Sequence, residues 1–124
     1  MRKRWVLCLT LALFSSLVHT QTVIRINQLG YLPQTSKSAV LMSKDTTFHP
    51  RTWELRDALT EEVAWSSAKI SREIPYGEFM NVLRLDFSPF STPGAYFLSA
   101  GDVHSPSFRI DNDVYDGTAD FLLN

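Results

Sequence analysis

Three groups of side chains in this 124-residue chain have types and spacing that could do chemistry. The first is acidic. Glu61 and Glu62 are adjacent, and acid/base work needs carboxylates placed on either side of a bond, so this pair reads as solvated. The run Asp111-Asn112-Asp113-Val114-Tyr115-Asp116-Gly117 opens like a calcium loop. Such a loop wants Asp or Asn at its fifth position and Gly at its sixth, where Tyr115 and Asp116 stand. The same acids suit the start of a helix, where they favour the helix dipole without doing chemistry. The second group is His49 and His104, which have no partner at ligand spacing and are expected at the surface. No G-x-S-x-G sequence supports a serine nucleophile. No catalytic residue is assigned on these grounds, and neither a metal nor a cofactor is expected.

The third group is Asn27, Gln28 and Tyr31, two amides and a phenol within Val23-Ile24-Arg25-Ile26-Asn27-Gln28-Leu29-Gly30-Tyr31-Leu32-Pro33. Ile24 and Ile26 alternate with Arg25 as in a half-buried strand. The pattern then breaks: Gly30 permits a positive φ, Pro33 fixes its own φ, and Leu32 before it is pushed to extended geometry. Three hydrogen-bonding side chains on a stiff bend can satisfy local turn groups, or they can dock another domain. The docking reading makes Asn27, Gln28 and Tyr31 interdomain contacts.

The elements that position this bend read as strands. Ser38–Met42 is a nearly continuous apolar run. Trp53-Glu54-Leu55-Arg56-Asp57 alternates, with Trp53 and Leu55 inward. Ala58–Glu62 can turn into a return strand at Val63-Ala64-Trp65, Ser66–Glu73 is ambiguous, and Pro75-Tyr76-Gly77 signals a turn. Asn81–Phe87 alternates most clearly, followed by Ala95–Ser99 and Ser107–Ile110. About seven short strands with Gly, Pro and Ser between them imply an all-β sandwich of the immunoglobulin type. Trp53 falls where such sandwiches bury a Trp. From Asp111 the pattern changes: Val114, Thr118, Phe121 and Leu122 recur at helical spacing behind a possible N-cap, against the cost of Gly117. An apolar helix that stops at Asn124 is read as the start of a truncated following domain.

The first twenty residues have a different character. Met1-Arg2-Lys3-Arg4 precedes an apolar stretch from Trp5 to Phe14 and a more polar exit, the layout of a secretory signal peptide. The stretch is shorter than the roughly 20 apolar residues of a membrane span. Cys8 lies inside it behind Leu7, where lipidation would want a small residue. The expected organisation is therefore 1–20 signal peptide, 21–110 sandwich, and 111–124 linker and first helix, with export to the periplasm, cell surface or exterior. The whole chain carries a formal −1; losing Arg2, Lys3 and Arg4 leaves nine basic against thirteen acidic side chains, a net of −4. No basic patch points to nucleic acid. A mature chain without cysteine must rely on its core.

Several segments together resemble a known family. They are Ile24–Pro33, Trp53-Glu54-Leu55-Arg56-Asp57, Asp86-Phe87-Ser88, Pro93-Gly94-Ala95-Tyr96-Phe97-Leu98, Ser107-Phe108-Arg109-Ile110, and Tyr115 with Ala119-Asp120-Phe121-Leu122-Leu123. This set is similar to the immunoglobulin-like N-terminal domain of glycoside hydrolase family 9 cellulases, running into the first helix of their (α/α)6-barrel catalytic domain. The resemblance implies a non-catalytic module that packs on a catalytic domain of the same chain. That domain would hydrolyse β-1,4-glucosidic bonds with carboxylates absent here. Its aspartate base would belong to an Asp-Ala-Gly-Asp motif. Ser99-Ala100-Gly101-Asp102 looks close, but it begins with Ser and lies on a turn, so Asp102 is read as a turn residue. Glycoside hydrolysis needs two carboxyl groups roughly 5–10 Å apart across a sugar, and no pair here answers to that. The alternatives are a carbohydrate-binding sandwich, which would need exposed aromatic faces where only Trp53 and Trp65 remain, and a surface-adhesion domain.

Overall fold

The computed structural model describes residues 21–116. Nine strands form there: β1 Thr22–Arg25, β2 Ser38–Ser43, β3 Trp53–Asp57, β4 Val63–Ser67, β5 Ile70–Arg72, β6 Asn81–Asp86, β7 Gly94–Ala100, β8 Val103–His104 and β9 Phe108–Ile110. They make two antiparallel sheets. The first has the order β1-β2-β6-β5. The second runs β4-β3-β7, with β8 and β9 both paired to β7. The all-β sandwich expected from strand periodicity is the architecture found.

Seven of the strands carry a pattern of their own, an alternation or, at β2, a nearly continuous apolar run. The other two are formed by their neighbours. β5 has only Ile70 to bury, and Ile70 lies opposite Leu85 of β6. β8 is the short return of β7 over the Gly101-Asp102 turn, with Ala100 paired to Val103.

Register brings the alternating residues into one core. Ile24 pairs with Leu41, Leu41 with Leu83, and Ala39 with Leu85 in the first sheet. Leu55 pairs with Leu98 in the second. All of these are buried. Trp53 is fully buried, its indole N–H donates to the Lys69 carbonyl at 3.0 Å, and Trp65 meets it edge-on at 5.4 Å. Apolar area is thus removed from water without stranding the indole donor. Tyr96 adds a second anchored ring, donating its hydroxyl to the Thr92 carbonyl four residues upstream at 3.0 Å, like a tyrosine corner.

The sandwich has two unlike ends. At one, β2 begins at Ser38 opposite Asp86, close to the bend after β1. At the other, Ser43 lies opposite Asn81, and the β5–β6 hairpin closes through a Tyr76–Phe79 bridge with Ile74, Tyr76 and Met80 exposed.

The helix expected from Val114 falls largely on residues 117–124, outside the described residues, as does the leader at 1–20. Within the described part, Asp111–Asp116 forms a bend and turns rather than helix. Asp116 N–H donates to the Asp113 carbonyl at 2.9 Å. The carboxylates of Asp111 and Asp113 are engaged by Arg109 at 3.2 and 3.0 Å instead of capping a helix.

At the end of β6, Asp86 accepts the Ser88 hydroxyl at 2.5 Å and the Ser88 N–H at 2.9 Å. These bonds, the hydroxyl first, favour its ionised form and hold its carboxyl below the ordinary aspartate value. A lowered carboxyl contributes stability that is present above the unfolded-chain value and lost as pH falls through the folded one. Stability should therefore fall on acidification below the ordinary aspartate range. Asp86→Asn keeps an acceptor for Ser88 but does not titrate, so urea melts taken from neutral pH into acid should show a shallower acid limb for that variant.

Candidate functional site: the sheet-crossing bend

The bend after β1 brings the chain over to touch the second sheet at Tyr31 before it returns to the first as β2. Asn27 starts it: its Oδ1 accepts the Leu29 N–H at 3.1 Å, and its carbonyl accepts the Gly30 N–H at 3.0 Å. This is the local side-chain-to-backbone bond for which Asn is favoured in turns. Gly30 follows with φ +99°. A Cβ there would lie 2.6 Å from the Arg109 carbonyl oxygen and 2.9 Å from Val114 Cγ1. Both the backbone conformation and the close approach require glycine.

Tyr31 completes the crossing. Its N–H donates to the Arg109 carbonyl at 2.9 Å, and its own carbonyl accepts the Asp111 N–H at 3.1 Å. It thereby forms a parallel bridge to Ile110 at the margin of the second sheet. The ring packs edge-on to Phe87 at 4.9 Å and Phe108 at 5.3 Å. The hydroxyl accepts the Asn27 N–H at 2.8 Å and donates to the Ser38 carbonyl at 2.9 Å. Burial raises the phenol above its ordinary value; the Asn27 amide opposes that shift and Tyr115 adds to it.

Of the three residues expected to contact a further domain, the structure leaves Asn27 and Gln28 exposed and turns Tyr31 inward. The reading of Tyr31 as an outward docking group is corrected: its ring and hydroxyl serve the sandwich itself. Gln28 lines a groove of about 400 Å³ along the free edge of β1, with His104 and Pro106 on its far wall. Beside it Leu29 is 53% exposed.

The segment that leaves β9 returns over the same bend. Val114 lies against Gly30, while the Tyr115 hydroxyl donates to the Gly30 carbonyl at 3.3 Å and accepts from Asn27 Nδ2 at 3.2 Å. The sequence offered a helical pattern for Val114 and Tyr115, and their seat on the bend was missed. Lys37, which the sequence did not single out, is fully buried as well.

The other candidate residues stay apart. Asp102 is exposed on the turn between β7 and β8. Glu61 sits at φ 62° in the β3–β4 turn, with Glu62 exposed beside it. His49 and His104 are exposed. Among the described residues no three His, Cys, Asp or Glu side chains gather as a metal-ligand set.

Tyr31→Phe should lower the stability of the sandwich by about 1–3 kcal/mol, because the Asn27 N–H and the Ser38 carbonyl both lose their partner. Gly30→Ala should cost more than about 1 kcal/mol through its positive φ and displace Val114. Urea melts of the two variants check both values, and the Tyr115 ring resonances report the displacement.

Comparison with known proteins fits this architecture. Endoglucanase C of Cellulomonas fimi is 40% identical over 93 residues, which make up 74% of this chain and 8% of that protein. A Bacteroides ovatus GH9 structure superimposes with a TM-score of 0.66 at 28% identity, covering 79% of this chain and 17% of its own. A metagenome-derived glycoside hydrolase family 9 endoglucanase gives 0.63 at 30% identity, covering 76% and 18%. The chain therefore spans less than a fifth of each of these relatives. The pattern of the family described as "Cellulase N-terminal ig-like domain" matches residues 19–105, which include eight of the nine strands. This chain belongs to that family, the N-terminal immunoglobulin-like domains of glycoside hydrolase family 9 cellulases.

Proposed function

We propose that this chain is the supporting module of an exported cellulase, and that its bend end docks a catalytic domain of the same polypeptide. The catalytic domain would hydrolyse β-1,4-glucosidic bonds, and the module would hold it in place without taking part in the chemistry. The observation that carries this reading is the return of Val114 and Tyr115 onto Gly30 and Asn27. It fixes the direction in which the chain leaves the sandwich. It also places the exposed Asn27, Gln28 and Leu29 beside that exit. A mixed patch of amides and one aliphatic side chain suits a contact between domains of one chain, which is more polar than an obligate interface. The first helix of the catalytic domain would begin beyond Asp116. Export rests on the basic start and short apolar stretch of residues 1–20.

The carbohydrate-binding alternative has less support. Trp53 is enclosed in the core and Trp65 packs edge-on against it, which takes the two indoles away from stacking on a sugar.

In the full-length enzyme, Leu29→Asp combined with Gln28→Ala should lower the unfolding midpoint of the catalytic domain, with a cost of about 1–3 kcal/mol. The same pair should leave the melt of the 124-residue chain unchanged. A calorimetric scan of both proteins checks this, and a loss confined to the sandwich transition would remove the docking role. The 124-residue chain alone should release no reducing sugar from cellulose or β-glucan.

A further inference from the structure

Among the described residues Lys37 is the charged side chain with no exposed surface. A buried ammonium ordinarily needs a carboxylate or an equivalent replacement for its hydration shell. Lys37 takes part in none of the ion pairs among the described residues. The nearby Asp86 carboxylate accepts two bonds from Ser88. What surrounds Nζ is three backbone carbonyl oxygens: Pro33 at 2.6 Å, Thr35 at 2.9 Å and Ser88 at 3.1 Å.

The number of acceptors matters. An ammonium has three N–H donors and meets three carbonyls one for one. A neutral amine has two donors, and its lone pair would face the third oxygen. The arrangement is thus complementary to a cation. Convergent carbonyl dipoles are also what replaces the water around a small monovalent ion when it is held by backbone. Burial acts the other way, pulling the Lys37 pKa down, while the charge of Asp86 raises it. The carbonyls act with Asp86, since they bond to the charged form.

The cradle is held from several directions. Lys37 N–H donates to Ser88 Oγ at 2.9 Å, and the Lys37 carbonyl accepts the Phe87 N–H at 2.9 Å. Two of the three oxygens belong to the loop after Tyr31 and the third to the turn after β6. Phe87, next to that turn, is one wall of the Tyr31 pocket. A positive charge at Nζ therefore draws together the two segments that enclose Tyr31.

We propose that the carbonyls of Pro33, Thr35 and Ser88 form a binding site for a monovalent cation of ammonium or potassium size, filled by the chain's own Lys37. Removing the side chain vacates the site for a free ion of the same class. Lys37→Ala also leaves a channel the length of a three-carbon stem, so n-propylammonium, which restores both stem and charge, is the best fit.

The test is a set of urea melts of the 124-residue chain at fixed ionic strength. Lys37→Ala should raise the unfolding equilibrium constant on the order of a hundredfold, because three carbonyls lose a charged partner. n-Propylammonium chloride should recover most of that loss in a concentration-dependent way. Ammonium and potassium should recover part of it, and tetramethylammonium, which is bulky and has no N–H, none. Lys37→Met keeps the stem without the charge, so it should be destabilised and indifferent to all four salts. The proposal fails if either variant matches the parent, if the loss is not recovered by any N–H cation, or if tetramethylammonium recovers as much as n-propylammonium. Should Lys37→Ala not fold, nitrogen-15 spectra of the parent decide. Three slowly exchanging protons on Lys37 Nζ at neutral pH support the site, and a two-proton amine overturns it.

Discussion

The fold hangs on one hydroxyl. Tyr31 Oη accepts a hydrogen bond from the Asn27 N–H and donates one to the Ser38 carbonyl. These two bonds join the end of β1 to the start of β2 across the inside of the bend. The backbone of Tyr31 meanwhile belongs to the other sheet, through Arg109 and Asp111. A single residue in the connection between two strands of one layer is thus also bonded to the opposite layer. Its ring fills the space that the corner would otherwise leave open between Phe87 and Phe108. A phenylalanine could supply the area but not the two bonds, and leaving buried backbone groups unpaired is more costly than the net gain of making the bonds.

The sequence provides no covalent clamp. Its one cysteine is Cys8, so the chain has no second thiol with which to close an internal disulfide. The buried polar groups take over the part that a disulfide plays in many small exported domains. Tyr96, the Trp53 indole and Lys37 each anchor a large side chain to a backbone carbonyl of a loop, and Tyr31 does so to the first residue of β2. Irregular segments are in this way held by the core rather than by covalent bridges. Among the described residues no buried side-chain nitrogen or oxygen lacks a partner, as expected when polar groups inside a core are tolerated only if satisfied.

How much of this was legible depends on periodicity. Where one face of a strand meets the core, as at Leu83 and Leu85 or Trp53 and Leu55, alternation discloses both the strand and its inward residues. β5 and β8 have too few apolar residues to show a period, and they exist because β6 and β7 offer them hydrogen bonds. The position of the bend was visible in Gly30 and Pro33, but the direction of Tyr31 was not. A bend has no period, and a phenol suits a surface and a core equally well. Lys37 was hidden for a related reason: lysine in a polar loop is ordinarily solvated, and only three carbonyls converging from two loops reveal otherwise. The family resemblance identified the module as a whole but did not disclose the inward turn of Tyr31.

The bridge between Tyr31 and Ile110 also sets an order of events during synthesis. β1 and β2 are close in sequence and can pair early, since closing a short loop costs little entropy. The corner between them cannot be completed then, because its partner is the last strand of the sandwich. Until Arg109 and Ile110 have been made, the Tyr31 backbone has no partner in the second sheet, and Phe108 is not there to meet its ring. The opening residues of the domain are therefore among the last to reach their final state, and the domain closes as a unit when its final strand arrives. A nascent chain held in this unfinished form keeps both sheets open at the corner. That delay keeps the chain open at the corner until the whole module has been synthesised.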